Sequence, residues 1–314
     1  MSAVLASRQV DAVTGIDAAL IGRSRRAYFE RRLAAAQRDP GRHLQVAIEA
    51  DGALAGFMLG RVLEGEFGRS EPQLRLEAFG VRPSAQHRGL GHELGAAFEA
   101  EAAKRGIAEI RTTALWRHHE LLRFLDRAGY RLAENTIVDC AVADAELGSA
   151  RERPLAATPT YDFERLARDA FAVGTLREAD LEEIARIDRR HTGRDRRGYL
   201  CRSLREALAD SALRISLVAK ADAAIAGFLM ASLDYGDFGR VEPVAVIDTI
   251  GVDPLRAHQG VGRALLSQLF VNLAALGVER VETVVAPGNL DLLGFFQAAG
   301  FRPAERLAFS KRLA

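Results

Sequence analysis

The chain contains one stretch twice, and this stretch decides the fold: GVRPSAQHRGLGHEL at residues 80–94 and GVDPLRAHQGVGRAL at residues 251–265. In each copy an apolar run ends at the first valine, and a long helical pattern begins at two glycines spaced i and i+2. Glycines there allow a close approach of the backbone to a ligand, and the first-turn amides of a helix have no partners within it. With the positive end of the helix dipole, these amides suit an anion such as pyrophosphate. The alternative is a plain strand-to-helix turn, which also uses glycine.

The two stretches belong to a longer tandem repeat. A shift of 171 positions aligns residues 4–143 with 175–314 without a gap, and 43 of the 140 pairs are identical, about 31%. A period of this kind indicates a duplicated structural unit. We predict an N-terminal domain at 1–143, a connector at 144–174 with a short helical pattern at ERLARDAF, and a C-terminal domain at 175–314.

Both repeats show the same order of hydrophobic patterns. The first predicts helices near 8–20 and 24–37, strands at HLQVAIEA, ALAGFMLGRVL and QLRLEAFGV, a helix at 89–105, a strand at AEIRTTAL, a helix ending at Gly129 and a final strand. The second repeats this order, with strands at LRISLVAK, AIAGFLMASLDY and VAVIDTIGV, its long helix at 260–276, a strand at VERVETVV and a helix at NLDLLGFFQAAG. The predicted fold class is α/β of the mixed α+β type. It has two tandem domains related by a pseudo-twofold repeat, each a mostly antiparallel mixed sheet flanked by helices.

Composition restricts the partners. The 314 residues include 43 basic and 42 acidic side chains, a net charge of +1, and 48% are hydrophobic. This is typical of a soluble globular protein with no overall attraction to nucleic acid or anionic membranes. The N-terminus MSAVLASRQVDAVTG has no signal-peptide or membrane-span pattern, so we expect a cytoplasmic protein. Cys140 and Cys201 have no metal-ligand spacing, and we expect neither a metal nor a disulfide.

The order of elements is a strand, V-x-P, Q-x-x-G-x-G, a long helix, a strand, and a helix ending in G-F or G-Y. This order resembles the Gcn5-related N-acetyltransferase (GNAT) superfamily, and the resemblance covers both repeats. The resemblance implies an enzyme that moves an acyl group from acetyl-CoA, or another acyl-CoA, to an amine of a small molecule or a protein. The alternative is a non-catalytic CoA-binding regulatory or scaffold protein. We expect a monomer, acting as a pseudo-dimer, or a homodimer.

The resemblance assigns cofactor contacts in both glycine loops. The first repeat has the full signature through Gln86, Gly89 and Gly91, with Arg88 as a phosphate partner and Val81 at the strand end. The second has Ala257 in place of the glutamine. Its implied cofactor-binding residues are Val252, His258, Gln259, Gly260, Val261, Gly262, Arg263, Asn289 and Phe296. The alternative for His258 and its counterpart His87 is a side chain that satisfies local backbone at the helix start, and the alternative for Arg88 and Arg263 is a solvated charge. A tyrosine is common in the family where Phe296 and Leu125 stand, so neither repeat has the usual acid.

A carboxylate is the expected base, because acyl transfer to an amine needs the amine neutral. Asp248 in IDTIGV, and its counterpart Glu77 in LEAFGV, lie where the family often has an acidic residue facing the acceptor. The alternative is that each simply faces solvent. Tyr199 and Tyr235 are candidate acids, and a backbone N–H near Val252 or Val81 is expected to hold the oxyanion. We expect the chemistry in the second repeat.

Two further segments are doubled. GEFGRSEP (65–72) and GDFGRVEP (236–243) predict hairpin loops with positive φ at Gly65, Gly68, Gly236 and Gly239, and ion pairs Arg69–Glu71 and Arg240–Glu242. We expect these loops to pack at the repeat interface or to border the acceptor groove. The segments GRSRRAY (22–28) and GRDRRGY (193–199) predict either recognition of an acidic acceptor or an exposed helix face paired with Asp17 or Asp188.

Overall fold

The computed structural model describes residue 5 and residues 9–69, 71–145, 171–209, 214–221 and 224–313. The first repeat contains α1 (Val10–Ile21), α2 (Arg26–Arg38), β1 (His43–Ala50), β2 (Ala53–Leu63), β3 (Gln73–Val81), α3 (Leu90–Lys104), β4 (Glu109–Leu115), α4 (His119–Arg127), β5 (Arg131–Leu132) and β6 (Thr136–Ala141). After it come β7 (Ala172–Thr175), α5 (Leu181–Thr192), α6 (Arg197–Ala209), β8 (Arg214–Ala221), β9 (Ala224–Asp234), β10 (Val244–Val252), α7 (Val261–Ala275), β11 (Arg280–Val285), α8 (Leu290–Ala298), β12 (Arg302–Pro303) and β13 (Arg306–Arg312).

The predicted fold class is confirmed. Strands β1, β2, β3 and β10 have the bounds that their apolar runs predict, and helices α3 and α7 lie within one residue of the predicted ranges. Of the predicted connector, residues 146–170 lie outside the described residues, and with them most of ERLARDAF. The described end of that stretch contributes β7, which pairs antiparallel with β8. The boundaries 1–143, 144–174 and 175–314 remain a prediction from the repeat.

The repeats exchange their last long strands. One sheet has the order β1-β2-β3-β4-β13-β5, and the other has the order β12-β6-β11-β10-β9-β8-β7. Strand β13 runs antiparallel to β4, with Arg306 opposite Leu115. Strand β6 runs antiparallel to β11, with Thr136 opposite Val285. Because an edge strand leaves a row of backbone groups without partners, each exchanged strand satisfies an edge of the other repeat and ties the two repeats together.

Each sheet is buried on both faces, and the helices of its own repeat provide the cover. In the first repeat, α3 packs Leu94 and Phe98 on one face, and α1 and α2 pack Ile16 and Phe29 on the other. The second repeat uses α7 and α8 on one face and α5 and α6 on the opposite face. Burial of these apolar side chains is the main stabilising term.

Strands β3 and β10 each carry a bulge at the same place. The pairing of β3 with β2 skips Glu77, and the pairing of β10 with β9 skips Asp248. A bulge leaves the extra residue unpaired and changes the direction of its side chain. The two candidate bases therefore occupy equivalent irregular positions, which the alternating sequence pattern does not predict.

The doubled loops lie where the two repeats meet. Arg196 donates a hydrogen bond to the carbonyl of Gly65, and Arg25 donates one to the carbonyl of Gly236. Arg75 of the first repeat also contacts Asp237 of the second at 2.6 Å. The prediction that these loops pack at the repeat interface is confirmed.

Two details predicted for these loops are wrong. Gly236 has a φ of 162°, which is extended backbone, whereas Gly65, Gly68 and Gly239 have positive φ as predicted. Glycine is needed at 236 because a Cβ there would stand 2.6 Å from Cγ of Tyr28. The expected pairs across the turns are also wrong. Among the described residues, the loop arginines instead reach acids on neighbouring strands, as Arg240 does with Asp234 and Glu282 and Arg69 with Glu109.

The arginine-rich segments pair with the aspartates of the preceding helices. Arg25 Nε lies 2.8 Å from Asp17, and Arg196 Nε lies 3.0 Å from Asp188. All four side chains are buried, so the expected exposed face is wrong for these residues. Arg25 and Arg196 each use a remaining N–H group to donate a hydrogen bond to a carbonyl in the doubled loop of the other repeat.

Candidate active site

The glycine loops present exposed helix N-termini. Gly89 and Gly260 are the N-cap residues of α3 and α7, with φ of 82° and 96°, and neither helix receives a side-chain cap there. A Cβ built at either glycine would meet nothing within 4 Å. First-turn amides without a side-chain acceptor fit a bound anion. Both loops therefore suit the pyrophosphate of a CoA ester.

The residue two positions before each N-cap glycine has the same backbone conformation in both loops. His87 and His258 both have a φ of 61°, a left-handed conformation that histidine tolerates better than most side chains. The Gln86 amide donates to the carbonyl of Val81 at 3.1 Å, and the Gln259 amide donates to the carbonyl of Leu255 at 3.4 Å. The two glutamines thus contact the loop itself.

The other predicted cofactor residues differ in their exposure and contacts. Arg88 is exposed and lies 3.9 Å from Asp51, whereas Val261 is buried in the core. The carbonyl of Val252 accepts a hydrogen bond from His191, and Arg263 lies in the first turn of α7. In this arrangement Arg88 and Arg263 flank the helix starts, where a guanidinium suits phosphate.

A ring covers the second glycine of each loop. A Cβ on Gly91 would meet Phe124 at 3.2 Å, and a Cβ on Gly262 would meet Phe295 at 3.0 Å. The next positions along α4 and α8, Leu125 and Phe296, are buried in the core. Asn289 caps α8, since its side chain accepts from the N–H of Leu292. Neither Leu125 nor Phe296 carries a group that can donate a proton.

The two parallel strands of each sheet separate near the bulge. In the second repeat, pairing of β10 with β11 ends at Ile247 opposite Thr283. In the first, pairing of β3 with β4 ends at Arg75 opposite Arg111. At the start of each opening, equivalent threonines bridge the two strands. The Thr112 hydroxyl donates a hydrogen bond to the carbonyl of Leu76, and the Thr283 hydroxyl donates one to the carbonyl of Ile247. Beyond these residues the backbone edges of both strands face a gap.

Glu77 is held in an arginine cluster. Its carboxylate lies 2.7 Å from Arg32, 2.6 Å from Arg75 and 3.1 Å from Arg61. Burial by itself would raise the pKa of Glu77, but the three guanidinium groups outweigh it and hold the pKa well below its usual range. A carboxylate in this state is a poor base.

Asp248 has a different environment at the equivalent position. The counterparts of Arg32, Arg61 and Arg75 are serine, serine and valine, and one arginine, Arg214, lies 3.6 Å away. Burial raises the pKa of Asp248, and Arg214 opposes this only in part. Asp248 is 5% exposed. Of the two candidate bases, Asp248 is the one whose environment favours taking a proton.

The two candidate tyrosines lie at the repeat interface. The Tyr199 hydroxyl is 3.1 Å from the Thr249 hydroxyl, and burial raises the pKa of Tyr199, so this phenol stays protonated. The ring of Tyr235 lies under the guanidinium of Arg31 at 5.2 Å. Tyr199 is therefore next to Asp248 along β10, whereas Tyr235 contacts the first repeat.

A cavity of about 630 Å³ lies between the repeats, beside the end of β11 and the start of β4. The second repeat contributes the β11 end and the α5–α6 turn, and the first repeat contributes its doubled loop and strand residues. The lining includes Phe67, Arg69, Glu109, Arg111, Glu134, Thr192, Arg194, Val284, Pro287 and Arg312. Asp248 and Tyr199 are not among the lining residues.

The sequence patterns did not assign a site role to most of this lining. Arg69 lies in the doubled phrase, which had been expected to border a groove, but Arg111, Glu134 and Arg312 carry no local signal. Arg312 comes beside Glu109 because β13 of the second repeat pairs with β4 of the first. Within the described part of the chain, no cluster of histidine, cysteine and acidic residues is placed to hold a metal ion, and no helix is long and apolar enough to cross a membrane.

The chain has two mixed sheets, each with a helix start that lacks a side-chain cap beside separated parallel strands, and this arrangement fits the N-acetyltransferase class of enzymes. The chain belongs to the Acetyltransferase (GNAT) family, whose model matches residues 16–130 and 179–301, once in each repeat. It is a GNAT-type N-acetyltransferase with a tandem duplication.

Two mycothiol acetyltransferases are similar in sequence. That of Clavibacter michiganensis subsp. michiganensis (strain NCPPB 382) is 32% identical over 232 residues, which cover 71% of this chain and 68% of that protein. That of Clavibacter sepedonicus is 30% identical over 228 residues, with the same coverage of 71% and 68%.

Solved structures share the fold over the whole chain. A tandem GNAT protein from the clavulanic acid biosynthesis pathway matches with a TM-score of 0.65 at 17% identity, covering 100% of this chain and 98% of that one. A GCN5-related N-acetyltransferase from Sphaerobacter thermophilus matches with a TM-score of 0.60 at 17% identity, covering 100% and 95%.

Proposed function

We propose that the protein transfers the acetyl group of acetyl-CoA to the amine of a small molecule in the second repeat. The observation that carries the proposal is the cavity of about 630 Å³ between the repeats, beside the end of β11. A volume of this size suits a small ligand, since ligand pockets typically measure roughly 300–1,000 Å³. A small-molecule acceptor is therefore favoured over a protein amino group.

The cofactor would be held by the start of α7. The amides around Gly260, Val261 and Gly262 would bind the pyrophosphate, with Arg263 beside them, and acetyl-CoA supplies the thioester. The amine attacks the thioester carbonyl directly, and a backbone N–H near Val252 is the proposed donor to the oxyanion.

Asp248 is the proposed base. Burial raises the pKa of Asp248, so it takes a proton more readily than Glu77, whose charge is neutralised by three arginines. Because Asp248 is buried and lies outside the cavity lining, it would act on the amine through water. The C–S bond of the thioester breaks as the amide forms, and the leaving CoA thiolate takes its proton from water. Tyr199 lies next to this strand, but its raised pKa makes its phenol a weak proton donor.

Titration of acetyl-CoA by calorimetry tests the cofactor site. Gly260→Asp adds a negative charge at the helix start in a conformation that aspartate tolerates, and Gly260→Asn is its uncharged match. We expect Gly260→Asp to weaken binding by about tenfold or more relative to Gly260→Asn, which corresponds to about 1.4 kcal/mol. The pair Gly89→Asp and Gly89→Asn reports on the first repeat.

Release of free CoA with a panel of amines tests transfer. We expect Asp248→Asn to lower kcat by about 100-fold or more, with little change in acetyl-CoA affinity, and Glu77→Gln to affect stability more than turnover. Turnover that survives Gly260→Asp but is abolished by Gly89→Asp would move the active site to the first repeat. If the wild-type chain bound no acetyl-CoA, the proposal would be wrong.

A further inference from the structure

The cavity wall carries more positive than negative charge. Four arginines, at positions 69, 111, 194 and 312, and two glutamates, at 109 and 134, line it. Arg69 and Arg111 come from the first repeat, and Arg194 and Arg312 come from the second. A concave surface with an excess of guanidinium groups attracts an anionic ligand.

Arg69 and Arg111 share one carboxylate. The Glu109 carboxylate contacts Arg111 through both oxygens at 3.1 Å, and Arg69 lies 3.8 Å from the same group. Gln73 also donates to Glu109. Burial, and the charge of nearby Arg111, lower the pKa of Arg69 to about 10. The single carboxylate therefore does not balance the two cations.

In the second repeat, the equivalent arginine is paired with two acidic side chains. Arg240 is the counterpart of Arg69, and it is paired with Asp234 at 2.6 Å and with Glu282. In the first repeat, the positions of these two acids hold Leu63 and Arg111. One acid has thus been replaced by a neutral residue and the other by a cation. The arginine side chain is 5% exposed at 240 and 26% exposed at 69.

We infer that the amine acceptor carries an anionic group, a carboxylate or a phosphate, which binds Arg69 and Arg111 at the interface between the repeats. Guanidinium groups bind both kinds of anion through paired hydrogen bonds. This inference rests on the proposed transfer in the second repeat and adds a substrate class to it. The first repeat would thereby supply the acceptor selectivity of the second.

Matched acceptors test the inference in steady-state assays. Glucosamine 6-phosphate against glucosamine tests the phosphate arm, and phenylalanine against phenethylamine tests the carboxylate arm. We expect wild-type protein to prefer the anionic member of at least one pair in kcat/KM. Arg69→Gln and Arg111→Gln should reduce that preference by about tenfold or more, mainly through KM, because each removes a charged hydrogen-bond donor.

Controls separate a binding role from a structural one. Arg131→Gln removes an exposed arginine outside the cavity and should keep the preference. Arg69→Lys keeps the positive charge and should retain part of the preference that Arg69→Gln loses. Binding of inorganic phosphate and of succinate, measured by calorimetry on the full chain, gives a readout that needs no turnover, and we expect the Arg111→Gln variant to lose it.

The outcomes distinguish the two proposals. Transfer to amines with no preference for the anionic member, or a preference that survives both glutamine variants, would overturn the inference and leave the proposed function standing. Absence of acetyl-CoA binding would overturn the proposed function, whereas arginine-dependent binding of phosphate or succinate would still support an anion site.

Discussion

Gly65 of the first repeat lies against the ring of Tyr199 of the second, so closely that a Cβ atom on Gly65 would stand 2.5 Å from Cγ of that ring. Gly236 has the same relationship to Tyr28, at 2.6 Å. This reciprocal contact explains the doubled phrase as an interface, since each loop closes on the helix of the opposite repeat.

Gly65→Ala should therefore destabilise the protein. The new methyl group meets the Tyr199 ring, and φ at this position is 132°, which an L side chain rarely adopts. We expect a loss of about 1–3 kcal/mol in the free energy of unfolding, measured with urea. Gly236→Ala is the comparison, because a Cβ there would stand 2.6 Å from Cγ of Tyr28 while φ, at 162°, is extended backbone. A negligible loss at Gly236 beside a large loss at Gly65 would show that backbone strain, and not the ring contact, is responsible.

Arg196→Gln should be costly for a different reason. It leaves Asp188 buried without its charged partner and removes the hydrogen bond to Gly65. A loss of about 3–5 kcal/mol is expected in thermal or urea unfolding. The adjacent Arg197 pairs with Glu182 on the surface, so Arg197→Gln should cost about 0–1 kcal/mol. A small loss at both positions would contradict the role of the Arg196–Asp188 pair.

Arg240→Gln and Arg69→Gln should separate stability from selectivity. Arg240 neutralises two buried acids, so its loss should cost about 3–5 kcal/mol in unfolding. Arg69 shares Glu109 with Arg111, so Arg69→Gln relieves one repulsion and should change stability by about 1 kcal/mol or less. Chemical unfolding of both variants measures this difference, and similar losses would argue against an excess of charge at Arg69.

His43 makes the fold sensitive to acid. Burial and the nearby charge of Arg32 lower the pKa of His43 from 6.5 to about 3. Between these values the unfolded chain binds more protons than the folded one, so this contribution is fully present above pH 6.5 and is lost as the pH falls. The loss approaches about 1.4 kcal/mol per pH unit.

The variant His43→Gln should then lose less stability than wild type between pH 6.5 and 4.5. Urea unfolding at several pH values gives the difference, and other groups that titrate in this range largely cancel between the two proteins. Parallel curves for the two would show that His43 is protonated in the folded state.

Most of the fold could be predicted from local patterns. The bounds of β1, β2 and β3 follow from apolar runs ended by turn residues, and α3 and α7 follow from glycines that start long helical patterns. Such signals are local, because each residue's neighbours in the chain decide its secondary structure. The 171-residue shift also reveals the duplication directly.

The exchange of strands could not be predicted in this way. TIVDCA (136–141) and RLAFSKR (306–312) form strands, but their patterns do not say which sheet edge they join. The wrong pairing of Arg240 with Glu242 has the same origin, because Asp234 and Glu282 come close only once the strands have assembled.

The sequence by itself determined a duplicated acetyltransferase fold with two glycine loops suited to an anion, because these features depend on residues close together in the chain. Only the tertiary structure decided that Glu77 is held by three arginines while Asp248 is not, and that Arg69 and Arg111 line a cavity between the repeats. The physical reason is that charge balance depends on which side chains, distant in the chain, share a buried space, and only the assembled sheets and helices bring those side chains together.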